Sequence, residues 1–511
     1  MVQQNSASKI FSATVVGLEA RLVEVEADTK GGGEMGTVSI VGLPDAAVTE
    51  ARERVRSAIK NSDLFFPKLK ITINLAPAHL KKQGVGFDLP IAISILLNAG
   101  VLKNDRDYRS CLFAGELALN GNVRPVTGIL PIAMKAKEEN IQTLFVPREN
   151  APEAKLISEL EVIPVTTLKE LISHLQGKYR IEPLASQKID LFNSFSKTDI
   201  SSIKGQEHAK RALEIVAAGG HNILMSGPPG SGKTFLAQAL TSILPDLELE
   251  EALDISRVYS VAGEFLESEK SLVTTRPFRS PHHTASAPSL VGGGTKPGPG
   301  EISLAHQGIL FLDELPEFPR TILENLRQPL ENGEININRA SGNIKFPANF
   351  ILVAAMNPCP CGYYNDPEKQ CTCSASQIAN YQKRISGPIL DRIDLQIEIP
   401  RLNFDKLNAS GSGSDTTRIR DRINKARSRQ KERYKHQKLN YNSEADSETI
   451  KNICRLDPES QKLLKNAVDK FCLSPRGYFK VLKIARTIAD LNQEQEVSPA
   501  CVAEALQYRS Q

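Results

Sequence analysis

The chain has 511 residues, a net charge of +4, 41% hydrophobic and 24% charged residues, a composition within the range of globular proteins and a length that calls for about three domains. The near-balanced charge excludes attachment to nucleic acid by bulk charge alone, although a local basic lining would vanish in the sum. With no apolar run near the roughly 20 residues of a membrane-spanning helix and no N-terminal signal pattern, the sequence points to a cytoplasmic protein that does not engage the membrane.

From the N-terminus, Arg21–Ala27 alternates as a strand, with Val23, Val25 and Ala27 on one face and Glu24 and Glu26 on the other. After Pro44, Val48, Val55 and Ile59 recur near helical spacing, and Glu50 and Arg54 stand one turn apart. Leu69–Leu75 reads as a strand, Leu89–Leu97 as a buried helix, Ala133–Glu139 as a helix and Leu144–Pro147 as a strand. Residues 1–180 therefore predict an α/β domain. A linker over 181–200, polar through Gln187–Asp199, leads to a second α/β domain over 201–405 that starts near Ile203. The run Ala409–Asp415 marks a flexible connector within 406–416. Residues 417–511 read as helical, with a basic helix over Thr417–His436 and an apolar face made by Val481, Leu482, Ala485, Ile488 and Ala489.

Within the second domain a short apolar strand, Ile223–Ser226, runs into Gly227, Pro228, Pro229, Gly230, Ser231, Gly232, Lys233 and Thr234, and a helix opens at Phe235. This is the G-x-x-x-x-G-K-[ST] pattern in the strand-to-helix setting of a phosphate-binding loop. The glycines let backbone N–H groups curl around phosphate oxygens, and the helix start adds partial positive charge. Lys233 offers a point charge to the β- and γ-phosphates and Thr234 a hydroxyl to Mg²⁺, so ATP and Mg²⁺ are the expected ligands. A Gly-rich turn without ligand is the competing reading, and the strand-to-helix context argues against it.

Downstream, the apolar strand Gly308–Leu312 ends in Asp313 and Glu314. Asp313 suits Mg²⁺ through its water shell, and Glu314 suits polarisation of the attacking water. A third strand, Phe350–Met356, ends in Asn357, whose amide either orients that water or touches the γ-phosphate, or merely closes the strand before Pro358. Arg392 and Arg476 are candidates for neutralising transition-state charge, an effect worth about 10³–10⁵ in rate; each reads equally as a surface ion pair.

Just after Asn357, Cys359, Cys361, Cys371 and Cys373 supply four soft ligands in one short loop. Four thiolates suit tetrahedral Zn²⁺ and leave no open position, so the cluster reads as a structural clip. Unliganded thiols and an Fe–S cluster are the alternatives. Cys111, Cys454, Cys472 and Cys501 lie among apolar neighbours and are expected as buried thiols. On the basic helix, Arg418, Arg420, Arg422, Lys425, Arg427, Arg429, Lys431, Arg433 and Lys435 surround a stripe of Ile419, Ile423 and Ala426. Such a charge run reads first as a solvated face and second as a contact for nucleic-acid phosphates. Local chemistry assigns no task to His282 or His283.

With Pro277–Ser286, Pro297–His306, Ala354–Pro358 and Arg486–Asp490 added to these motifs, the chain resembles, nearly end to end, the YifB/ComM family of magnesium-chelatase-like AAA+ ATPases. The resemblance implies an N-terminal Lon-protease-like α/β domain, a central AAA+ P-loop α/β domain with a helix-two insert carrying Val291–Pro299, and a C-terminal helical lid. It implies a homo-oligomeric ring, commonly a hexamer, with ATP between neighbours. In that family pattern Asn357 is sensor 1, Arg476 sensor 2, and Arg392 the arginine finger reaching the next subunit's site. The hairpin Ile335–Phe346 precedes sensor 1, and related ring motors line their pores with such loops. Arg339 and Lys345 are thus candidate DNA contacts, against the ordinary reading of two exposed basic residues. In the first block, the positions matching Lon's serine and lysine are Gly86 and Leu130. Without nucleophile or base, Ser–Lys acyl transfer has no route, and the block is expected to be a non-peptidase scaffold that binds DNA or organises the ring. The implied function is an ATP-driven DNA motor for branch migration of recombination intermediates in natural transformation, acting on branched or single-stranded DNA alongside recombination proteins. The alternative is a magnesium-chelatase-type motor subunit that remodels a protein partner, which the Lon-like block argues against.

Overall fold

The computed structural model describes residues 9–30, 37–103, 108–186, 198–266, 270–294, 298–339, 342–401, 416–437, 439–471 and 473–509. The polar stretch 187–197, the connector Ala409–Asp415 and Cys472 lie outside the described residues. By its internal contacts the chain divides into two units, residues 1–190 with 252–273 and 338–345, and residues 191–251 with 274–337 and 346–511.

The first unit is built on a seven-stranded mixed sheet ordered Val38–Val41, Lys70–Ala76, Glu19–Lys30, Lys9–Val16, Cys111–Phe113, Thr143–Pro147, Glu161–Val165. Alternation sets its faces: Val23, Val25 and Ala27 are buried, while Glu24 and Glu26 lie on the opposite face paired with Lys9 at 3.0 and 3.4 Å. The helix Ala46–Asn61 starts at Asp45, whose carboxylate accepts from the Val48 N–H at 2.8 Å, and buries Val48, Val55 and Ile59. The expected Glu50–Arg54 pair is present at 4.0 Å, but Arg54 makes a two-pronged contact with the buried carboxylate of Asp88, at 2.7 and 2.9 Å. That pairing lets the helix Asp88–Asn98 be buried along most of its length. The segment 252–273 joins this unit because the N–H groups of Gly128 and Leu130 both bond to Ser260, at 3.0 and 3.3 Å.

The second unit holds a five-stranded parallel sheet ordered Phe278–Arg279, Ile309–Leu312, Ile351–Met356, Ile223–Ser226, Leu395–Glu398. In chain order that is 2-3-4-1-5. Its three inner strands are short apolar runs, as a sheet covered on both faces requires. Between the short helices Ala287–Val291 and Glu301–Leu304, Gly292–Gly293 pairs antiparallel with Gly298–Pro299, forming a hairpin inserted into a helical stretch. The chain is thus mixed α/β with a helical C-terminal region. The helices Thr416–Arg433 and Pro475–Leu491 share one buried cluster with the sheet, which runs from Ile223 and Val353 to Ile423, Val481 and Ala485.

The basic helix presents the solvated face its charge run suggests, with several of its cations also paired to distant acids. Ile419, Ile423 and Ala426 are buried, and the cations lie on the remaining, exposed or half-buried faces. Arg420 pairs with Asp246, Arg422 with Glu214, Lys431 with Glu248 and Arg433 with Asp490, and Arg427 lies 3.4 Å above the ring of Tyr441. The acids are 57 to 208 positions distant, so the run looks unpaired in sequence. Arg418, Arg422, Lys425, Lys431 and Lys435 are exposed. Among the described residues no helix is long and apolar enough to cross a membrane.

Candidate nucleotide site and cysteine cluster

Three neighbouring parallel strands deliver the sequence-identified groups to one edge. Ile223–Ser226 leads into the phosphate loop, Ile309–Leu312 into Asp313 and Glu314, and Ile351–Met356 into Asn357. Open α/β sheets bind ligands in the crevice outside such carboxyl ends. The loop geometry demands its glycines. Gly230 and Gly232 have φ of +76° and +88°, and a Cβ on Gly227 would lie 2.3 Å from the carbonyl oxygen of Ile399. The following helix spans Lys233–Ile243, two residues earlier than Phe235, because Gly232 in its left-handed conformation starts the first turn. No side chain caps that end, so its N–H groups face the loop as donors for phosphate.

Lys233 is buried, and its Nζ donates to the carbonyls of Gly227 at 2.7 Å and Pro228 at 2.9 Å and to Asn357 Oδ1 at 3.3 Å. Three acceptors match the three N–H groups of an ammonium. Burial pulls the Lys233 pKa below its ordinary value, and the opposing pull of Asp313 and Glu314 only partly restores it. The Thr234 hydroxyl donates to Asp313 Oδ2 at 3.0 Å, while Asp313 Oδ1 accepts from the Glu314 N–H at 2.9 Å. A hydroxyl and a carboxylate converging beside the loop are the hard oxygen donors Mg²⁺ prefers. Glu314 has φ +51°, a left-handed conformation costing a non-glycine residue about 1 kcal/mol or more and typical of functional turns.

His283, unassigned from sequence, stands here: its Nδ1 is 3.6 Å from Glu314 Oε2, with the ring 4.1 Å from that of His282 and edge-on to Phe318. The strand Phe278–Arg279 pairs beside Ile309–Leu312, which carries the two histidines alongside Glu314. A local motif search has no signal for that proximity. No sequence signal marks Tyr381 either. Burial raises its pKa to about 12, and its hydroxyl is hydrogen-bonded to the Asn357 backbone.

The two candidate arginines are not gathered around Lys233 in the single chain. Arg392 donates to the carbonyl of Pro388 at 2.6 Å and pairs with Glu331, and Arg476, exposed at the start of Pro475–Leu491, lies 3.6 Å from Asp391. The hairpin strands Glu334–Arg339 and Gly342–Pro347 pair with each other, with Arg339 closing the first strand and Lys345 exposed on the second. In the first unit, Gly86 offers no side chain before the buried helix, and Leu130 is fully buried with its N–H bonded to Glu153 at 2.9 Å.

The four loop cysteines converge. Their sulfurs all lie within 4.8 Å of one another, with Cys359–Cys361, Cys361–Cys371 and Cys359–Cys371 separations of 3.3, 3.5 and 3.7 Å. Disulfide sulfurs would stand at about 2.05 Å. A tetrahedron with Zn–S bonds of about 2.3 Å has edges of about 3.8 Å, so the cluster needs little adjustment to hold that ion. Backbone N–H groups of Tyr363 and Thr372 pull the Cys361 thiol down to about 5, while at Cys371 and Cys373 a backbone hydrogen bond is outweighed by burial and the neighbouring sulfurs, which push both up. Of the scattered thiols, Cys454 and Cys501 are buried as expected, whereas Cys111 is half-buried at the start of a strand.

Three family profiles match successive parts of the chain: "Subunit ChlI of Mg-chelatase" over residues 25–150, "Magnesium chelatase, subunit ChlI" over 199–407, and "Magnesium chelatase, subunit ChlI C-terminal" over 413–509. The chain is similar to the competence protein ComM of Haemophilus influenzae, 44% identical over 506 residues, covering 98% of this chain and 97% of the relative. It is similar to the protein YifB of Escherichia coli, 42% identical over 510 residues, covering 99% and 97%. The magnesium-chelatase 38 kDa subunit of Rhodobacter capsulatus matches at 28% over 176 residues, covering 31% of this chain and 49% of that subunit.

Proposed function

The chain belongs to the ComM/YifB family of magnesium-chelatase-like AAA+ ATPases, and on that premise we propose that it is a ring-forming motor that hydrolyses ATP to drive branch migration of DNA recombination intermediates. The observation that carries the ATPase part is the convergence of Lys233, Thr234, Asp313 and Asn357, joined by hydrogen bonds of 3.0 and 3.3 Å at the ends of three parallel strands. In this reading the backbone N–H groups from Gly227 to Thr234 cradle the phosphates. Lys233 exchanges its loop carbonyls for phosphate oxygens. Thr234 and Asp313 would hold Mg²⁺, which when bound would neutralise charge on the β- and γ-phosphates. Glu314 orients the attacking water, Asn357 senses the γ-phosphate, and Arg476 acts from the lid. Arg392 leaves Glu331 to reach the site of a neighbouring subunit. Cys359, Cys361, Cys371 and Cys373 hold a structural zinc.

DNA as the substrate is supported by likeness to a relative named for competence over nearly its full length. Arg339 and Lys345 on the hairpin are the proposed DNA contacts, each a phosphate neutraliser. A chelatase-type motor acting on a protein partner is the second reading. The N-terminal block does not by itself decide against it, since residues 25–150 match a profile that also carries the chelatase description. Coverage supports the first reading: the chelatase subunit aligns with 31% of the chain, the competence protein with 98%. The test is branch migration of a synthetic four-way junction with ATP and Mg²⁺, beside Lys233→Ala and Glu314→Gln. Only the wild type is expected to move the junction. ATP hydrolysis that branched and single-stranded DNA neither stimulate nor couple to movement would sink the DNA reading and favour a protein substrate.

A further inference from the structure

The cysteine loop is not a remote appendage of the nucleotide site but its backing. Gly362, one residue past Cys361, has φ +85° and closes the turn between the first two ligands by donating to the Cys359 carbonyl at 3.0 Å. A Cβ built on Gly362 would lie 2.5 and 2.7 Å from Cδ and Cγ of Pro229, in the middle of the phosphate loop. The two turns are therefore in direct contact. The other end of the loop is tied to the same place. Ser374, next after Cys373, caps the helix Ala375–Gln382 through a reciprocal capping box. That helix sends Gln382 to the Pro358 carbonyl at 3.3 Å and Tyr381 to the Asn357 backbone. Asn357 accepts from Lys233. A third tether is Arg401, which pairs with Asp366 inside the cysteine loop at 3.3 Å and lies 5.3 Å from the ring of Tyr363.

We propose that metal occupancy of the four-cysteine cluster sets the shape of the phosphate loop, so that zinc at this site is a requirement for nucleotide binding and not only for local stability. This rests on the reading of the loop as an ATP site. The physical reason lies in the loop's composition. Gly230 and Gly232 leave its backbone with many conformations, and Pro229, with Pro228 before it, is the rigid segment that Gly362 presses against. Four thiolates on one ion fix the turn that carries Gly362, and Gly362 fixes Pro229. With the ion gone, nothing ties the four sulfurs to one another, the turn relaxes and the loop loses its support. Nucleotide then has to order the loop itself, and affinity falls.

The experiment uses the full-length protein. Zinc content is measured by elemental analysis, the ion is removed with a thiol-directed mercurial and chelator, the mercurial is reversed with excess thiol, and binding of a fluorescent ATP analogue is compared in loaded, stripped and reloaded protein. About one zinc per chain is expected. Stripping is expected to weaken analogue binding by about tenfold or more, with recovery on reloading and an unchanged far-UV circular dichroism spectrum. Gly362→Ala keeps all four ligands and drives a methyl group into Pro229. It is expected to retain zinc and still bind the analogue about tenfold more weakly, which tests the Gly362–Pro229 contact separately from the ion. Equal affinity of loaded protein, stripped protein and Gly362→Ala overturns the coupling, as does purification from zinc-supplemented cells without stoichiometric metal. If loaded wild type fails to bind the analogue, or Lys233→Ala binds it equally well, the ATP-site reading itself has failed and the coupling falls with it.

Discussion

The buried carboxylate of Asp490 sits at the centre of the helical region, and Asp490→Asn is the substitution whose cost follows most directly from the geometry. Its Oδ1 accepts from Arg433 Nη2 at 2.5 Å and Arg486 Nη2 at 3.0 Å, and its Oδ2 accepts from Arg433 Nη1 at 2.8 Å and Asn442 Nδ2 at 2.9 Å. Asp490 has no exposed side-chain surface and Arg486 has 1%. Asparagine preserves the shape and one acceptor, but it removes the only charge between two guanidinium groups and points an N–H at a donor. Removing one partner of a buried ion pair costs about 3–5 kcal/mol. At about 2–4 °C per kcal/mol for a domain of roughly 200 residues, the melting temperature falls by about 10 °C. Arg433→Met, whose side chain is 21% exposed and whose loss leaves Asp490 paired with Arg486, is expected to cost less. Thermal unfolding followed by circular dichroism, with and without ATP, reads both. An Asp490→Asn protein melting within about 2 °C of wild type would refute the reasoning, since it would mean the arginines are satisfied without the carboxylate. The same arithmetic explains the stretch Arg486–Asp490: Arg486, Thr487 and Asp490 are all fully buried and all hydrogen-bonded.

Two further outcomes are expected. His283→Ala removes the half-buried imidazole 3.6 Å from Glu314, a contact worth about 0.2–1 kcal/mol, so kcat for ATP hydrolysis should fall by no more than about fivefold with KM nearly unchanged. Steady-state kinetics that show a raised KM at constant kcat would place His283 in nucleotide binding instead. Asp394 supplies a pH dependence. Burial raises its pKa, but His221 at 3.4 Å together with Lys480 and Lys483 outweighs that effect and holds the carboxyl below its ordinary value of 3.8. The unfolded chain then binds the proton more readily than the folded one. The stabilisation is complete above the ordinary carboxylate value and is lost as the pH drops through the depressed one. Asp394→Asn should therefore flatten the acid limb of the stability–pH curve, measured by denaturant midpoints; an unaltered limb would remove Asp394 from the account.

The sequence by itself determined the strands and helices with strong period, the phosphate loop, the two acidic residues and the amide beyond their strands, and the clustering of four cysteines. Each is a local pattern: hydrophobic alternation, a glycine spacing, a carboxylate after an apolar run. Adjacent residues carry such signals because the physics that selects them acts over one turn or one strand. What only the tertiary structure decided are relations between segments far apart in the chain. The cations of the basic helix find acids at Asp246, Glu214, Glu248 and Asp490, of which only Glu214 and Asp490 are buried, so the helix keeps a charged surface while two of its arginines satisfy buried carboxylates. Arg54 prefers Asp88, 34 positions on, to Glu50 one turn away, because a buried carboxylate needs a cation far more than an exposed one does. Sheet order places His283 beside Glu314. Contact with Ser260 draws residues 252–273 into the N-terminal unit. The meeting of Gly362 with Pro229 depends on a turn 133 positions away from the loop it supports, a distance at which no sequence period survives and only the packing of folded turns can speak.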